Sequence, residues 1–364
     1  MKAILIEGGE YLLGLSVFLG EGLKAETKNY LETLQQAGFS SVFTSLHIPE
    51  DDATLYRERL ETLGYWTQAL QMDLTADISG KALEKIGLTI SDPVSIKQTG
   101  ITSLRVDDGF SNREIADLSH HLKVALNAST IDEDDVQELI DDGADFKQLT
   151  AFHNYYPRPE TGLDKKVLIQ KNHWLKSIGF RVAAFVPGDK TFRGPLYQHL
   201  PTLEDHRERH PLASAIELQK DCLTDDVYIG DPMIKAFTIR QFQSYHKNKT
   251  YLLRVRPVAD SQWFDFILGQ HQNRRDPARD VIRSAGARLN IHGTVEPQHT
   301  FIRTKGSVTI DNCLYGRYMG ETQIVVSDLP ADEKVNVAAQ VIQEDRDLLQ
   351  LIKAGDLFEL QNDI

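Results

Sequence analysis

Residues 13 to 229 repeat one phrase: an amphipathic segment that closes on a glycine, then a short apolar run that ends in polar residues. Apolar runs at residues 13–19, 41–46, 73–78, 102–107, 123–127, 146–152, 180–186 and 227–229 alternate with helical spacing at residues 26–37, 51–70, 113–120, 132–140, 165–177 and 212–221. Gly38, Gly143 and Gly179 stand where left-handed C-terminal caps belong. Ser129 or Thr130 caps the acidic helix at 132–140, whose Asp and Glu residues suit the N-terminal end of a helix dipole. Strands alternating with helices pair in parallel through right-handed crossovers, and eight such units within roughly 230 residues predict a closed (β/α)8 TIM barrel. An open doubly wound sheet is the lesser reading, because no G-x-G-x-x-G follows the first run.

From Thr238 the rhythm changes. Short segments at 250–258, 299–302, 307–310, 322–326, 335–341 and 357–360 are rich in Val, Ile, Thr or Leu and bounded by Gly, Asp or Pro. A single helix is expected near 276–285. A chain of 364 residues exceeds most single cores. The expected organisation is therefore a TIM-barrel domain at 1–237 and a smaller, mainly-β domain at 238–364, read as a small barrel.

Composition narrows the partners. A formal net charge of −13 argues against a general nucleic-acid or anionic-membrane surface, since both need clustered surplus cations. Any anionic ligand must meet a local pocket. Cys222 and Cys313 lie far apart, too few for a disulfide scaffold and at no zinc spacing. The N-terminus has neither the apolar core nor the cleavage site of a secretory signal, and no run approaches the ~20 apolar residues of a spanning helix. The expectation is a cytoplasmic protein with no membrane or nucleic-acid partner.

Polar residues collect at the ends of the apolar runs. In T-S-L-R-V-D-D-G-F, residues 102–110, strand alternation puts Arg105 and Asp107 on one face and Leu104 and Val106 on the other. In a parallel barrel that face points into the carboxyl-end mouth, where substrate is handled. The same pair could merely plug the mouth, and the stretch alone leaves both readings open. The expected rim adds Glu21, His47, Glu50, Asp77, Asn127, Ser129, His153, Asn154, Tyr155, Tyr156, Arg158, Asp189, Arg193 and Asp231. Two excursions, residues 151–163 and 187–207, exceed the roughly two to six residues of ordinary βα loops and read as lids or binding loops. Tyr155 and Tyr156 either stack on a sugar or pack beneath the first of them. Arg105, Arg158, Arg193 and Arg207 all fall on rim segments of an acidic chain, and guanidinium binds phosphate or carboxylate through paired hydrogen bonds. An anionic substrate follows, with at least one of these arginines serving as a salt-bridge partner instead.

Metal and nucleophile motifs are missing: there is no H-E-x-x-H and no G-x-S-x-G. Paired carboxylates remain. Glycoside hydrolysis needs one carboxyl to protonate the leaving oxygen and a second to act as nucleophile or base, about 5 to 9 Å away. Asp107 and Glu204 are the expected catalytic pair. The expected substrate contacts are Arg105, Asp77, Asn127, His153, Asn154, Tyr155, Arg158, Asp189, Arg193 and Asp231.

Several phrases are specific: L-G-L-S-V-F-L-G-E, A-G-F-S-S-V-F-T-S-L-H-I-P-E-D-D, R-V-D-D-G-F, H-N-Y-Y-P-R-P-E-T-G-L, R-G-P-L-Y, L-P-T-L-E-D-H-R, V-Y-I-G-D and T-I-D-N-C-L-Y-G-R-Y-M-G-E. With them the chain, from about Leu13 onward, resembles the bacterial 6-phospho-N-acetylmuramidase family, whose members were formerly labelled "outer surface protein". The resemblance implies an N-terminal TIM barrel, a C-terminal cyclophilin-like β domain and hydrolysis of the β-1,4 bond in MurNAc-6-phosphate-GlcNAc during cell-wall recycling. It implies no cofactor and does not say which carboxylates act. The motif around Tyr315, Arg317 and Glu321 either covers the barrel mouth or is a turn within the second domain.

Two other classes stand beside this reading. A pyridoxal-phosphate racemase also combines a barrel with a β domain, but it needs a Lys at a strand's carboxyl end, whereas Lys123 and Lys147 lie at strand starts. A carbohydrate-binding protein without catalysis is the other.

Overall fold

A computed structural model describes residues 11–20, 22–46, 53–106, 109–258 and 260–363. The chain divides into two compact units, Met1–Ile239 and Arg240–Ile364.

The first unit is a closed barrel of eight parallel strands in sequential order. The strands are β1 (Leu12–Ser16), β2 (Ser41–Ser45), β3 (Asp73–Ile78), β4 (Ser103–Val106), β5 (Lys123–Asn127), β6 (Leu149–Phe152), β7 (Arg181–Val186) and β8 (Asp226–Ile229). Strands β8 and β1 pair with Leu13 opposite Val227, which closes the ring. The crossover helices are α1 (Ala25–Gln36), α2 (Ala53–Ala69), α3 (Gly80–Lys85), α4 (Pro93–Gln98), α5 (Asn112–Ser119), α6 (Glu133–Asp141), α7 (Lys165–Ser177) and α8 (Pro211–Asp221). Helices α3 and α4 were not expected; Ser79 and Asp92 cap them by accepting from the amides of Ala82 and Ser95. The acidic helix α6 is capped by Asp132, not by Ser129 or Thr130. Gly38 and Gly179 take φ of 102° and 98°, the left-handed turns expected after α1 and α7.

Alternation sends one side of each strand into the barrel. There Phe43, Phe152, Phe185 and Tyr228 fill the middle, with Phe43 and Phe185 ring centroids 5.1 Å apart and Phe152 and Tyr228 4.9 Å apart. This aromatic plug separates a charged amino end from the carboxyl-end mouth.

Helix α9 (Ala236–Asn248) leads to the second unit. Its sheet joins β9 (Thr250–Pro257), β10 (Gly269–Gln272), β11 (Val281–Arg283), β12 (Ser307–Asp311), β13 (Thr322–Val325), β14 (Val335–Val341) and β15 (Leu357–Asn362) in the order β10-β15-β9-β14-β12-β13-β11. Its two edge strands meet where Asn273 bridges Ser284. Two expectations fail here. The helix near 276–285 is instead a turn and β11, because Asp276 draws in both Arg274 and Arg283 and so folds the segment back on itself. Residues 299–302 form no strand: His299 has φ of 52°, and only the single bridge of Arg303 to Leu329 follows.

Candidate active site at the carboxyl end of the barrel

Strands β2, β3 and β4 place Ser45, Asp77 and Arg105 side by side, Ser45 opposite Asp77 and Asp77 opposite Arg105. Arg105 is 4% exposed. Its Nη1 donates to Asp77 Oδ1 at 2.7 Å, its Nη2 donates to Asn154 Oδ1, and Ser45 donates to the other Asp77 oxygen at 3.3 Å. The buried Nε of Arg105 has no partner among the described residues. A guanidinium shared between a carboxylate and an amide, with one donor unused, is prepared for an acceptor supplied from outside.

Tyr155 stands over this layer. Its ring packs edge-on to Phe185 at 5.1 Å, and its hydroxyl accepts from Arg193 Nη1 at 2.7 Å. Arg193 in turn lies 4.0 Å over the Phe18 ring. Burial pushes the Tyr155 phenol upward, opposed by the Arg193 charge, so it is a neutral donor at ordinary pH. Phe18, Ser45 and Thr202 were not among the expected residues; Phe18 continues the inward alternation of β1 beyond Ser16, which is the signal that could have found it.

The two long excursions are fastened together. Leu163 bridges Leu203, and Tyr156 N donates to Pro201 O at 2.9 Å. Thr202 accepts from the amide of Phe185 and donates to the carbonyl of Asn154, both at 2.9 Å, so the second loop sets the height of the first over β7. Glu204 is the main fastener. Its Oε1 accepts from the amide of Glu160 at 2.8 Å and its Oε2 from that of Gly162 at 2.7 Å, while Arg207 donates to both oxygens at 2.7 and 2.6 Å. A Cβ on Gly162 would come within 2.6 Å of Glu204 Oε2, so only glycine permits this approach. The Arg207 hydrogen bond, with the two amides adding to it, draws the Glu204 carboxyl down to about 2. A carboxyl so placed stays ionised and has no proton to give. Arg207 also donates to the carbonyls of Tyr156, Gln198 and Arg158, and with Glu204 it forms a salt bridge, as Arg105 does with Asp77.

Several other expected contacts are bonded to the scaffold. His153 follows Phe152 by one residue and therefore faces outward, its Nε2 2.6 Å from Asn172 Oδ1 on α7. Burial pulls its imidazole down to about 4, so it is a neutral, buried side chain at ordinary pH. Asp189 accepts from the amide of Lys235 and the hydroxyl of Thr238 at 2.7 and 2.6 Å, binding its loop to the start of α9. Asp231 is buried; its Oδ2 accepts from the amides of Gly188 and Leu200, and its Oδ1 has no partner among the described residues. Asn127 accepts from the amide of Ser129 at 3.0 Å at the end of β5. Arg158 is exposed, its carbonyl taken by Thr161 and Arg207. Asp107, with Asp108, Glu21, His47 and Glu50, lies outside the described residues.

At the opposite end Lys123 is paired with Asp73 at 2.8 Å and Lys147 lies in the 3-10 turn before β6. Neither stands where a Schiff base to a ligand in the mouth would form. Among the described residues, no group of His, Cys, Asp or Glu could hold a metal ion, and no helix is long and apolar enough to cross a membrane.

A (β/α)8 barrel with a guanidinium-carboxylate-tyrosine mouth, continued by a second β-sheet unit, is the class this architecture defines. The comparisons make it more particular. The chain belongs to the 6-phospho-N-acetylmuramidase family, whose N-terminal model matches residues 13–244 and whose C-terminal model matches residues 252–361. A solved structure of a conserved Enterococcus faecalis protein of unknown function is 46% identical, with 97% of this chain and 96% of that one covered and a TM-score of 0.90. An uncharacterized B. cereus protein shares the fold at 24% identity, covering 97% of this chain and 100% of that one, with a TM-score of 0.72. No curated protein matches.

Proposed function

We propose that the chain is a glycoside hydrolase that cleaves the β-1,4 linkage of MurNAc-6-phosphate-GlcNAc in cytoplasmic cell-wall recycling, without a cofactor. The observation that carries the reading is the buried Arg105, whose Nε has no partner among the described residues, standing beside Asp77 in the mouth of a barrel of this family. Arg193, reaching the mouth through Tyr155, holds the 6-phosphate, and Arg105 takes a second acceptor such as the lactyl carboxylate. Asp107, two residues beyond Arg105, is one reacting carboxyl. Asp77, which shares Arg105, is the other in place of Glu204, whose oxygens are committed to the loops. One carboxyl protonates the leaving oxygen while the other assists attack at the anomeric carbon. Asn154 and Tyr155 orient the sugar. On this reading the second unit has the cyclophilin-like fold that the family resemblance implies.

Incubation with the phosphodisaccharide, with products read by mass, tests it. Wild-type protein releases GlcNAc, and Asp107→Asn abolishes release while circular dichroism stays unchanged. Full turnover by that variant removes Asp107 from the chemistry; binding without cleavage by wild type leaves a carbohydrate-binding protein.

A further inference from the structure

The second unit carries a polar face that the barrel chemistry does not use. Across three antiparallel strands Arg283 lies opposite Gln323 and Gln323 opposite Thr309. One step along the same face, Asp311 and Glu321 are joined through the backbone, the Asp311 amide donating to the Glu321 carbonyl at 3.0 Å. Glu321 is 5% exposed, with Arg283 at 3.9 Å and Arg288 at 3.8 Å. Polar groups on such a surface are ordinarily satisfied, yet here several are not. Arg283 Nε and Thr309 Oγ1 are buried without partners among the described residues. Asp311, 5% exposed, makes no side-chain hydrogen bond among the described residues. Burial, with the charges of Glu321 and Asp332, pushes the Asp311 carboxyl up to about 7 against the pull of Arg303 and Arg288, so near neutral pH it can donate as well as accept.

The turn after β12 supplies two partly exposed aromatic rings beside these groups. Tyr315 and Tyr318 are 36% and 38% exposed, with ring centroids 6.3 Å apart and edge to face. Arg317 lies 4.9 Å over Tyr318, and Lys334 lies 5.7 Å over Tyr315. Charge on the face is mixed: Arg283, Arg288 and Arg303 stand against Asp311, Glu321 and Asp332, so a phosphate would meet buried carboxyls as readily as guanidiniums. A ligand of alternating donors and acceptors with an apolar face fits better. We propose that this face, built on β11, β12, β13 and the turn at 313–318, is a binding site for an uncharged sugar ring. Sugar hydroxyls donate to Glu321 and Asp311 and accept from Arg283 Nε, while the CH face of the ring lies against the exposed tyrosines.

Saturation-transfer NMR on the full chain tests this, with N-acetylglucosamine as the uncharged probe and glucose 6-phosphate as the anionic one. Transfer to N-acetylglucosamine at millimolar concentration is expected, falling at least fivefold in Asp311→Asn and in the surface variant Tyr318→Ala, each confirmed folded by its thermal transition. Transfer is expected to persist in Arg193→Ala. No transfer in wild type, transfer that survives both variants, or transfer lost in Arg193→Ala would each overturn the assignment; the last places binding in the barrel mouth. Stronger transfer to glucose 6-phosphate that depends on Asp311 and Tyr318 would make it an anion site and overturn the proposal too. None of these outcomes depends on whether the barrel hydrolyses anything.

Discussion

The two ends of the barrel hold the same residue types in opposite states. At the amino end Arg181 meets Asp226 through two of its nitrogens, and Lys123 meets Asp73 at 2.8 Å, so each cation is matched by a carboxylate. At the carboxyl end Arg105 is divided between Asp77 and Asn154 and, among the described residues, keeps a buried Nε unpaired. Open space alone does not mark a site, since a cavity of about 360 Å3 opens at the amino end, lined by Tyr11, Lys123, Arg181 and Asp226. Completeness of pairing does. A closed ion pair has spent its desolvation on structure, whereas an open valence in a buried guanidinium is tolerable only where something else arrives to fill it.

The contrast breaks most visibly through the two arginines. Arg105→Ala should lower kcat/KM by roughly 10^3 or more, the scale for losing a preorganised charge at the reacting centre. It should also cost about 3 to 5 kcal/mol of stability, because Asp77 is left buried and unpaired. Arg181→Ala should leave kcat/KM within about threefold, although it too strands a buried carboxylate, Asp226, and so costs stability of the same order. Equal losses of activity, measured on fractions shown to be folded, would erase the distinction between the ends.

Arg193 sharpens the same contrast within the mouth. Among the described residues its guanidinium is held by Tyr155 and Phe18 and not by a carboxylate, which leaves its charge available. Arg193→Ala should raise KM for the phosphorylated disaccharide about 10- to 100-fold, the scale of a charge-assisted contact, and for the unphosphorylated analogue only a few-fold. Equal effects on both would move phosphate recognition elsewhere.

The barrel was legible because its cause is periodic: apolar runs, helical spacing and cap glycines such as Gly38 and Gly179 repeat at nearly constant distance, and closure follows from count. The site was legible only where alternation reached it. Parity along β3, β4 and β6 puts Asp77, Arg105 and Asn154 inside, and the same parity turns His153 outward against Asn172. Beyond the strand ends that rule lapses, because loop carboxylates are aimed by distant partners. Asp189 is taken by Lys235 and Thr238, some forty-six and forty-nine positions away, and nothing local announces it. The second unit was less legible for the same reason: in 276–285 the Asp276 ion pairs, which require the segment to fold back, override a composition that reads as helix.

Glu204 gives the smallest expected effect, and the sign of its pH dependence separates fastening from proton transfer. Its folded carboxyl titrates at about 2, against roughly 4.3 in an unfolded chain. The stabilisation it lends is therefore complete above about pH 4.3 and disappears as pH falls toward 2. Because its side chain is 32% exposed, solvent screening reduces that contribution to about 1 kcal/mol. Glu204→Gln keeps the shape but weakens both amide contacts, so the two excursions loosen and kcat/KM should fall only a few-fold at neutral pH. The thermal midpoint should drop slightly at pH 6 and converge with wild type near pH 2. A general acid would behave otherwise: the amide variant would lose about 10^3 in kcat, within the 10^2 to 10^4 that such catalysis contributes, with no convergence of stability in acid. A collapse of that size in Glu204→Gln would return this carboxyl to the chemistry and displace Asp77.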